Sequence, residues 1–257
     1  MIWIGVIALV FAVVCFFAAR SAEGRSRALT RVETLPVNEV VQLHQAASSA
    51  AGPGQFRYAC EVVGTAQPAG GPLTSQLDET ECVWHRHKVT HKYWETVRDS
   101  EGRSKRQERS RVVSENTSTA DFLVQDATGT IQVSPGRGVD KPQKVLDNFE
   151  QATGRRARTV TVGSLSLNLG SSSGSIGYRY EEWALLPGQR VFVHGEATDA
   201  GGRLAIGPPS EGGLYLVSTR SQEELLKSET AKVRGFRAGA GVMGAAGLVL
   251  LVLGLVS

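Results

Sequence analysis

Two uncharged apolar runs, one at each end, constrain this 257-residue chain more than anything between them. Ile2 to Ala19 holds 18 residues and Ala238 to Val256 holds 19, and neither contains a charged side chain. A helix needs about 20 apolar residues to cross the roughly 30 Å hydrocarbon core of a bilayer, so both runs read as transmembrane helices. The chain average, 41% hydrophobic and 21% charged, hides them by blending them with a polar middle. That middle, Arg20 to Arg237, is 218 residues and long enough to bury a core of its own.

The first run lacks the basic leader of a secretory signal peptide, although Ala18, Ala19 and Ala22 offer small residues for cleavage. Val14 stands where a lipoprotein signal wants a small residue ahead of its cysteine, here Cys15. A retained anchor is therefore expected. Arg20, Arg25, Arg27 and Arg31 follow the first run, Lys232, Arg234 and Arg237 precede the second, and no Lys or Arg lies outside either. By the positive-inside rule the termini lie outside and the whole middle is cytoplasmic. Cys60 and Cys82 would then stay free thiols, whereas in an exported domain they could pair. Gly239, Gly241 and Gly244 match the G-x-G-x-x-G of dinucleotide sites, but no strand precedes them. Small residues in a membrane helix instead permit close packing, with Ala240 and Gly244, and Gly241 and Ala245, as contacts for self-association.

Between the spans the pattern is α+β, mainly β. A juxtamembrane segment, 20–54, carries a helix from Pro36 to Ala51 that Gly52, Pro53 and Gly54 end. Residues 55–220 are β-rich, with strands over Phe56 to Thr65 and Glu81 to Val97, then a charged turn from Asp99 to Arg111 and a return strand to Ser114. Asp121 to Ser134 reads as a hairpin whose turn, Asp126 to Gly129, uses Gly129 for a positive φ. Pro142 to Glu150 reads as helical and Gly163 to Gly177 as a flexible loop. Strands follow over Arg190 to Ala197, Arg203 to Ile206 and Leu214 to Ser218. Ser221 and Glu224 form a capping box for a juxtamembrane helix, 221–237, that leads into the span at 238–256. Short strands with Gly-rich turns suggest a small closed barrel of the OB type.

Chemistry is sparse. His85, His87 and His91 share a strand face and Cys82 takes the other, but Arg86 and Lys88 oppose a metal there, so a half-exposed polar strand is expected. No G-x-S-x-G elbow occurs, and Gly207 to Ser210 is a turn. Glu181 and Glu182 beside Trp183 read as solvated carboxylates. Neither Cys60 nor Cys82 has a base partner in the sequence. No catalytic, cofactor-binding or metal-binding residue is assigned. Arg103, Lys105, Arg106, Arg109 and Arg111, with Trp84, Tyr93 and Trp94, could line a single-stranded nucleic-acid groove. Glu101 and Glu108 interrupt the cluster and the net charge is only +3, which disfavours nucleic acid; anionic headgroups or plain solvent suit it better.

One combination is more specific than its parts. Cys82 and Trp84 are followed by Asp121 to Gly129, Leu186 to Gly188, Val193 to Ala197, Ile206 to Pro209 and Leu216 to Ser221, all between two membrane spans. In this the chain resembles the GIDE/MULAN family of membrane-anchored E3 ubiquitin ligases and their beside-a-membrane (BAM) domain. The resemblance implies a transferase label. Ligating members carry a C-terminal RING that binds zinc through C-x-x-C pairs; here there are three cysteines and no C-x-x-C, and the chain ends at Ser257. The expectation is a RING-less relative acting as a non-catalytic module for an unknown protein partner or the membrane surface. Ubiquitin transfer and single-stranded nucleic-acid binding are the alternatives. Arg outnumbering Lys 21 to 7 suits a bacterial source, which would place the protein in the plasma membrane.

Overall fold

The computed structural model describes residues 2–98, 100–152, 158–169 and 174–256. In chain order it contains α1 (Ile2–Arg31), α2 (Val37–Ala51), β1 (Arg57–Pro68), β2 (Leu73–Thr74), β3 (Glu81–Cys82), β4 (Trp84–Arg98) and β5 (Ser104–Thr117). Then come β6 (Phe122–Gln125), β7 (Thr130–Val133), β8 (Val139–Asp140), β9 (Gln143–Gln151), β10 (Arg158–Val162), β11 (Leu165–Leu169) and β12 (Ser175–Leu185). Last are β13 (Arg190–Thr198), β14 (Ala205–Gly207), β15 (Leu216–Ser218) and α3 (Gln222–Val256). Two compact units result, one made of the chain ends up to Thr34 and from Arg220, the other of Leu35–Thr219.

In the first unit α1 and α3 lie antiparallel. Both are long and apolar enough to span a membrane, and each runs on past its apolar stretch as one helix. Small residues set their approach: a Cβ on Gly5 would stand 3.1 Å from the Gly247 carbonyl, and one on Gly247 would stand 2.9 Å from Leu9. Gly239 faces Cys15 and Gly244 faces Ala12. Gly241 has nothing within 4 Å of where a Cβ would be, so its side of α3 is turned away from α1. At the start of α3, Ser221 Oγ accepts from Glu224 N at 3.3 Å while the Glu224 carboxylate accepts from Ser221 N at 3.2 Å, the reciprocal cap anticipated above.

The second unit is built on a five-stranded barrel, closed in the order β1–β6–β7–β14–β13–β1, with β7 and β14 parallel and the other neighbours antiparallel. This is the OB-like closure expected from the sequence. Alternate residues point inward: Cys60, Val62 and Ala66 from β1, Phe122 and Val124 from β6, Ile131 and Val133 from β7, Val191, Val193 and Ala197 from β13. Gly64 sits where β1 leaves β13 for β6; a Cβ there would fall 2.4 Å from the Gln125 carbonyl oxygen, so only glycine lets the seam close.

Helix α2 packs Val37 and Val40 into the same core. Its N-cap residue, Pro36, has no side-chain cap to offer. The β6–β7 turn supplies one instead: Asp126 Oδ2 accepts from Val37 N at 2.8 Å and Thr128 Oγ1 from Asn38 N at 3.0 Å. Capping of this kind contributes about 1 kcal/mol. The turn is held by Asp126 Oδ1, which accepts from the N–H groups of Thr128 and Gly129. Gly129 is not among the left-handed residues, contrary to expectation. A Cβ there would stand 3.4 Å from Val37, so glycine leaves room for the helix.

Insertions between barrel strands build a second sheet, ordered β5–β4–β12–β9 and antiparallel throughout. Three expectations fail here. The charged turn is short, and β5 starts at Ser104 in register with Arg98 of β4. It is a strand without an apolar period because its residues 104–113 are exposed on both faces. Pro142 to Glu150 is not helical but forms β9 along β12. The loop from Gly163 to Gly177 contains β11 and the start of β12; its residues 170–173 lie outside the described residues.

Candidate functional site

The inner face of this second sheet gathers most of the residues singled out for chemistry. Period-two geometry points His85, His87, Val89 and His91 of β4 inward, and Tyr178, Tyr180, Glu182 and Ala184 of β12 stand directly opposite them. The three histidines do share one face, but they are buried, with His87 and His91 only 1% and 2% exposed. The half-exposed polar strand expected for them is thus replaced by a polar core.

Glu182 is the anchor. Its carboxylate is fully buried and accepts from Ser75 Oγ at 3.0 Å, Gln76 N at 2.9 Å, Leu77 N at 3.1 Å and Asp78 N at 2.7 Å. Successive backbone N–H groups in a turn make such an anion-binding concavity. The strap at residues 75–78 is thereby folded over the histidines, and Ser164 at the β10–β11 turn donates to the Gln76 carbonyl at 2.9 Å. Glu182 corrects the reading of a solvated carboxylate pair. Its neighbour Glu181 does face outward, in an ionic lattice where Lys144 reaches it at 2.8 Å. In that lattice Arg179, then Lys144, hold the Asp147 carboxyl down to about 2.

The surroundings favour the neutral form of each imidazole. Burial lowers the basicity of His85, His87 and His91; for His91 the Arg111 guanidinium adds to it, while for His85 and His87 the Glu182 carboxylate works the other way. His87 Nε2 meets Ser114 Oγ at 2.9 Å and His91 Nε2 meets Ser175 Oγ at 2.8 Å, with the His91 ring stacked 4.5 Å from Tyr178. The Nδ1 atoms of all three have no hydrogen-bond partner among the described residues.

An acid–imidazole–hydroxyl relay needs the carboxylate on the imidazole. Here Glu182 spends its lone pairs on the strap, so the His87–Ser114 pair has no orienting acid. Among the described residues no group of three or more His, Cys, Asp or Glu is placed to hold a metal. Cys60 and Cys82 are free and buried, and burial pushes their thiols up to about 12 and about 11. Such thiols are inert as nucleophiles and ligands. Zinc of the RING kind finds no matching donor set in these residues.

The aromatic residues proposed to stack bases do not form a platform. Trp84 is 1% exposed in the barrel core, whereas Trp94 and Tyr93 lie on the second sheet, each with one guanidinium near its ring, those of Arg106 and Arg111, whose carbons lie 6.0 and 5.9 Å from the ring centres. Within the basic cluster Arg109 is paired with Glu95, Arg103 with Glu101, and Glu108 takes Lys92. Sequence reasoning missed Asp199, which is buried and accepts from Gly54 N, Phe56 N and His44 Nε2 at 2.8, 3.0 and 3.1 Å. It joins the end of α2 to the barrel, and those bonds, the Gly54 amide first, hold its carboxyl below the usual range.

A family model, GIDE, described as E3 ubiquitin ligase, matches residues 92–254. No curated protein and no solved structure gives a significant match.

Proposed function

The chain belongs to the GIDE family, and on that premise we propose that it is an integral membrane protein whose cytoplasmic barrel domain works by binding a protein partner, not by transferring ubiquitin itself. The observation that carries the non-catalytic reading is the state of Glu182: this buried carboxylate, opposite His87 on the sheet, is used up by Ser75 and the 75–78 strap. Inert thiols and the lack of any C-x-x-C pair in these residues support it.

Membrane insertion is supported by the surface of the helix pair. Trp3 is 80% exposed, Val242 68% and Ile7 66%, an apolar exterior that water would penalise and lipid would not. The cytoplasmic placement rests on Arg20, Arg25, Arg27, Arg31, Lys232, Arg234 and Arg237 at the inner ends of the two apolar runs. Gly241 and Ala245, on the side of α3 turned away from α1, remain available for pairing with a second copy. The β4–β5 hairpin offers the partner surface, since beyond Trp94 it is exposed on both faces and carries Arg98, Lys105 and Arg106 without ion-pair partners among the described residues.

The test is reconstitution of the detergent-solubilised chain with ubiquitin, an activating enzyme and a panel of conjugating enzymes. No ubiquitin adducts on the chain are expected above a control lacking it, while a protein partner co-purifies and is lost when Arg98, Lys105 and Arg106 are changed to Ser together. Conjugating-enzyme-dependent ubiquitin chains would overturn the reading in favour of transfer.

A further inference from the structure

At the level where the apolar runs give way to charge, α1 and α3 leave a cavity of about 270 Å³ between them, lined by Phe16, Ala19, Arg20, Glu23, Arg237 and Ala240. Its two halves differ in chemistry. Phe16, Ala19 and Ala240 make an apolar wall on the side of the spans, and Arg20, Glu23 and Arg237 make a charged rim on the other. The Glu23 carboxylate pairs with Arg237 and, at 3.5 Å, with Arg27. Arg20 has no ion-pair partner among the described residues. The rim therefore holds one uncompensated guanidinium beside a hydrocarbon surface.

We propose that this cavity binds the headgroup phosphate of an anionic phospholipid, with Arg20 as the phosphate donor and the acyl chain running along Phe16. The proposal rests on the membrane-spanning reading given above. A guanidinium donates two parallel N–H bonds to a phosphate, which a lysine could not match. The amphipathic build selects a lipid over a soluble anion, since a free phosphate has no use for the apolar wall. The volume suits a headgroup better than a cofactor, as pockets that enclose whole small molecules start at about 300 Å³. Glu23 competes for the same charge by holding Arg237, so it weakens the site it borders.

The full-length protein, placed in bilayer nanodiscs holding equal amounts of phosphatidylglycerol and phosphatidylcholine, is extracted and its retained lipid is counted by native mass spectrometry. Phosphatidylglycerol is expected to be retained preferentially. Arg20→Gln should lower that retention about fivefold, the worth of one basic residue near the headgroups. Glu23→Gln, which frees Arg237, should raise it, and Arg25→Gln, an exposed arginine outside the cavity, should leave it unchanged. Equal retention of both lipids, an unaltered Arg20→Gln protein, or displacement by excess inorganic phosphate would each overturn the proposal. A chain that does not enter the bilayer contradicts the membrane-spanning reading and the lipid site together; one that enters without lipid preference contradicts the site alone.

Discussion

Replacing Glu182 by alanine should destabilise the central unit by about 3–5 kcal/mol and lower its melting temperature by roughly 10 °C. The wild-type carboxylate is fully buried and satisfies the Ser75 hydroxyl and the amides of Gln76, Leu77 and Asp78. Alanine leaves those four donors without an acceptor, at roughly 1 kcal/mol or more each. The strap they belong to would lift from the histidines, so the amides of residues 76–78 should lose hydrogen-exchange protection before the barrel does. Glu182→Gln keeps the volume and one acceptor oxygen and should fall between. Glu181→Ala is the control: that side chain pairs with Lys144 and Arg179 at the surface, where such contacts are worth at most about 1 kcal/mol. Equal effects at positions 181 and 182 would contradict the assignment of the anchor.

Acid should unfold the same unit from its histidine face. Burial holds the folded-state basicity of His85, His87 and His91 below the ordinary value of 6.5. Facing them are the Glu182 carboxylate, which partly restores the basicity of His85 and His87, Glu115, which does so for His87, and Arg111, which lowers that of His91 further. As pH falls through 6.5 the unfolded imidazoles take up protons while the folded ones resist, so stability is present above this range and is lost below it. Each withheld proton steepens the loss by about 1.4 kcal/mol per pH unit, giving at most about 4 for three. Thermal melts of the full chain between about pH 7.5 and about pH 5.5 read this slope. His91→Phe, whose ring can keep the stack on Tyr178, should remove about a third of it. A slope that does not change in that variant, or stability that rises toward acid, would sink this explanation.

What the sequence disclosed and what it concealed follow from how local each signal is. The β6–β7 hairpin was legible because Phe122, Val124, Ile131 and Val133 alternate strictly around an Asx turn. The α3 cap was legible because its two partners are three residues apart. Strand β9 was not. Val145, Leu146 and Phe149 are spaced as on a helix because a bulge lets Leu146 pair with Glu182 and Lys144 with Trp183, which leaves Val145 out of register. The return strand was expected only from Arg111 to Ser114, and the earlier part of β5 was read as turn, because exposure on both faces removes the apolar period that marks a strand. At the site, period two placed the histidines on one face, but their burial depends on a strap that Glu182 holds from more than 100 residues away. No local pattern carries that information. The same holds for α2, whose cap comes from Asp126 and Thr128 in a distant turn.

The proposed topology, with the barrel domain on the cytoplasmic side of two membrane-spanning helices, calls for an accessible reporter. Cys60 and Cys82 are 0% exposed and Cys15 is buried against α3, so the native thiols are poor labels and give little background. Ser104, exposed at the start of β5, takes a cysteine without disturbing any core contact. In cells producing the full-length Ser104→Cys protein, a membrane-impermeant maleimide should label it only after the membrane is permeabilised. Labelling of intact cells to the same extent would contradict the topology, and with it the proposal that the domain meets its partner in the cytoplasm.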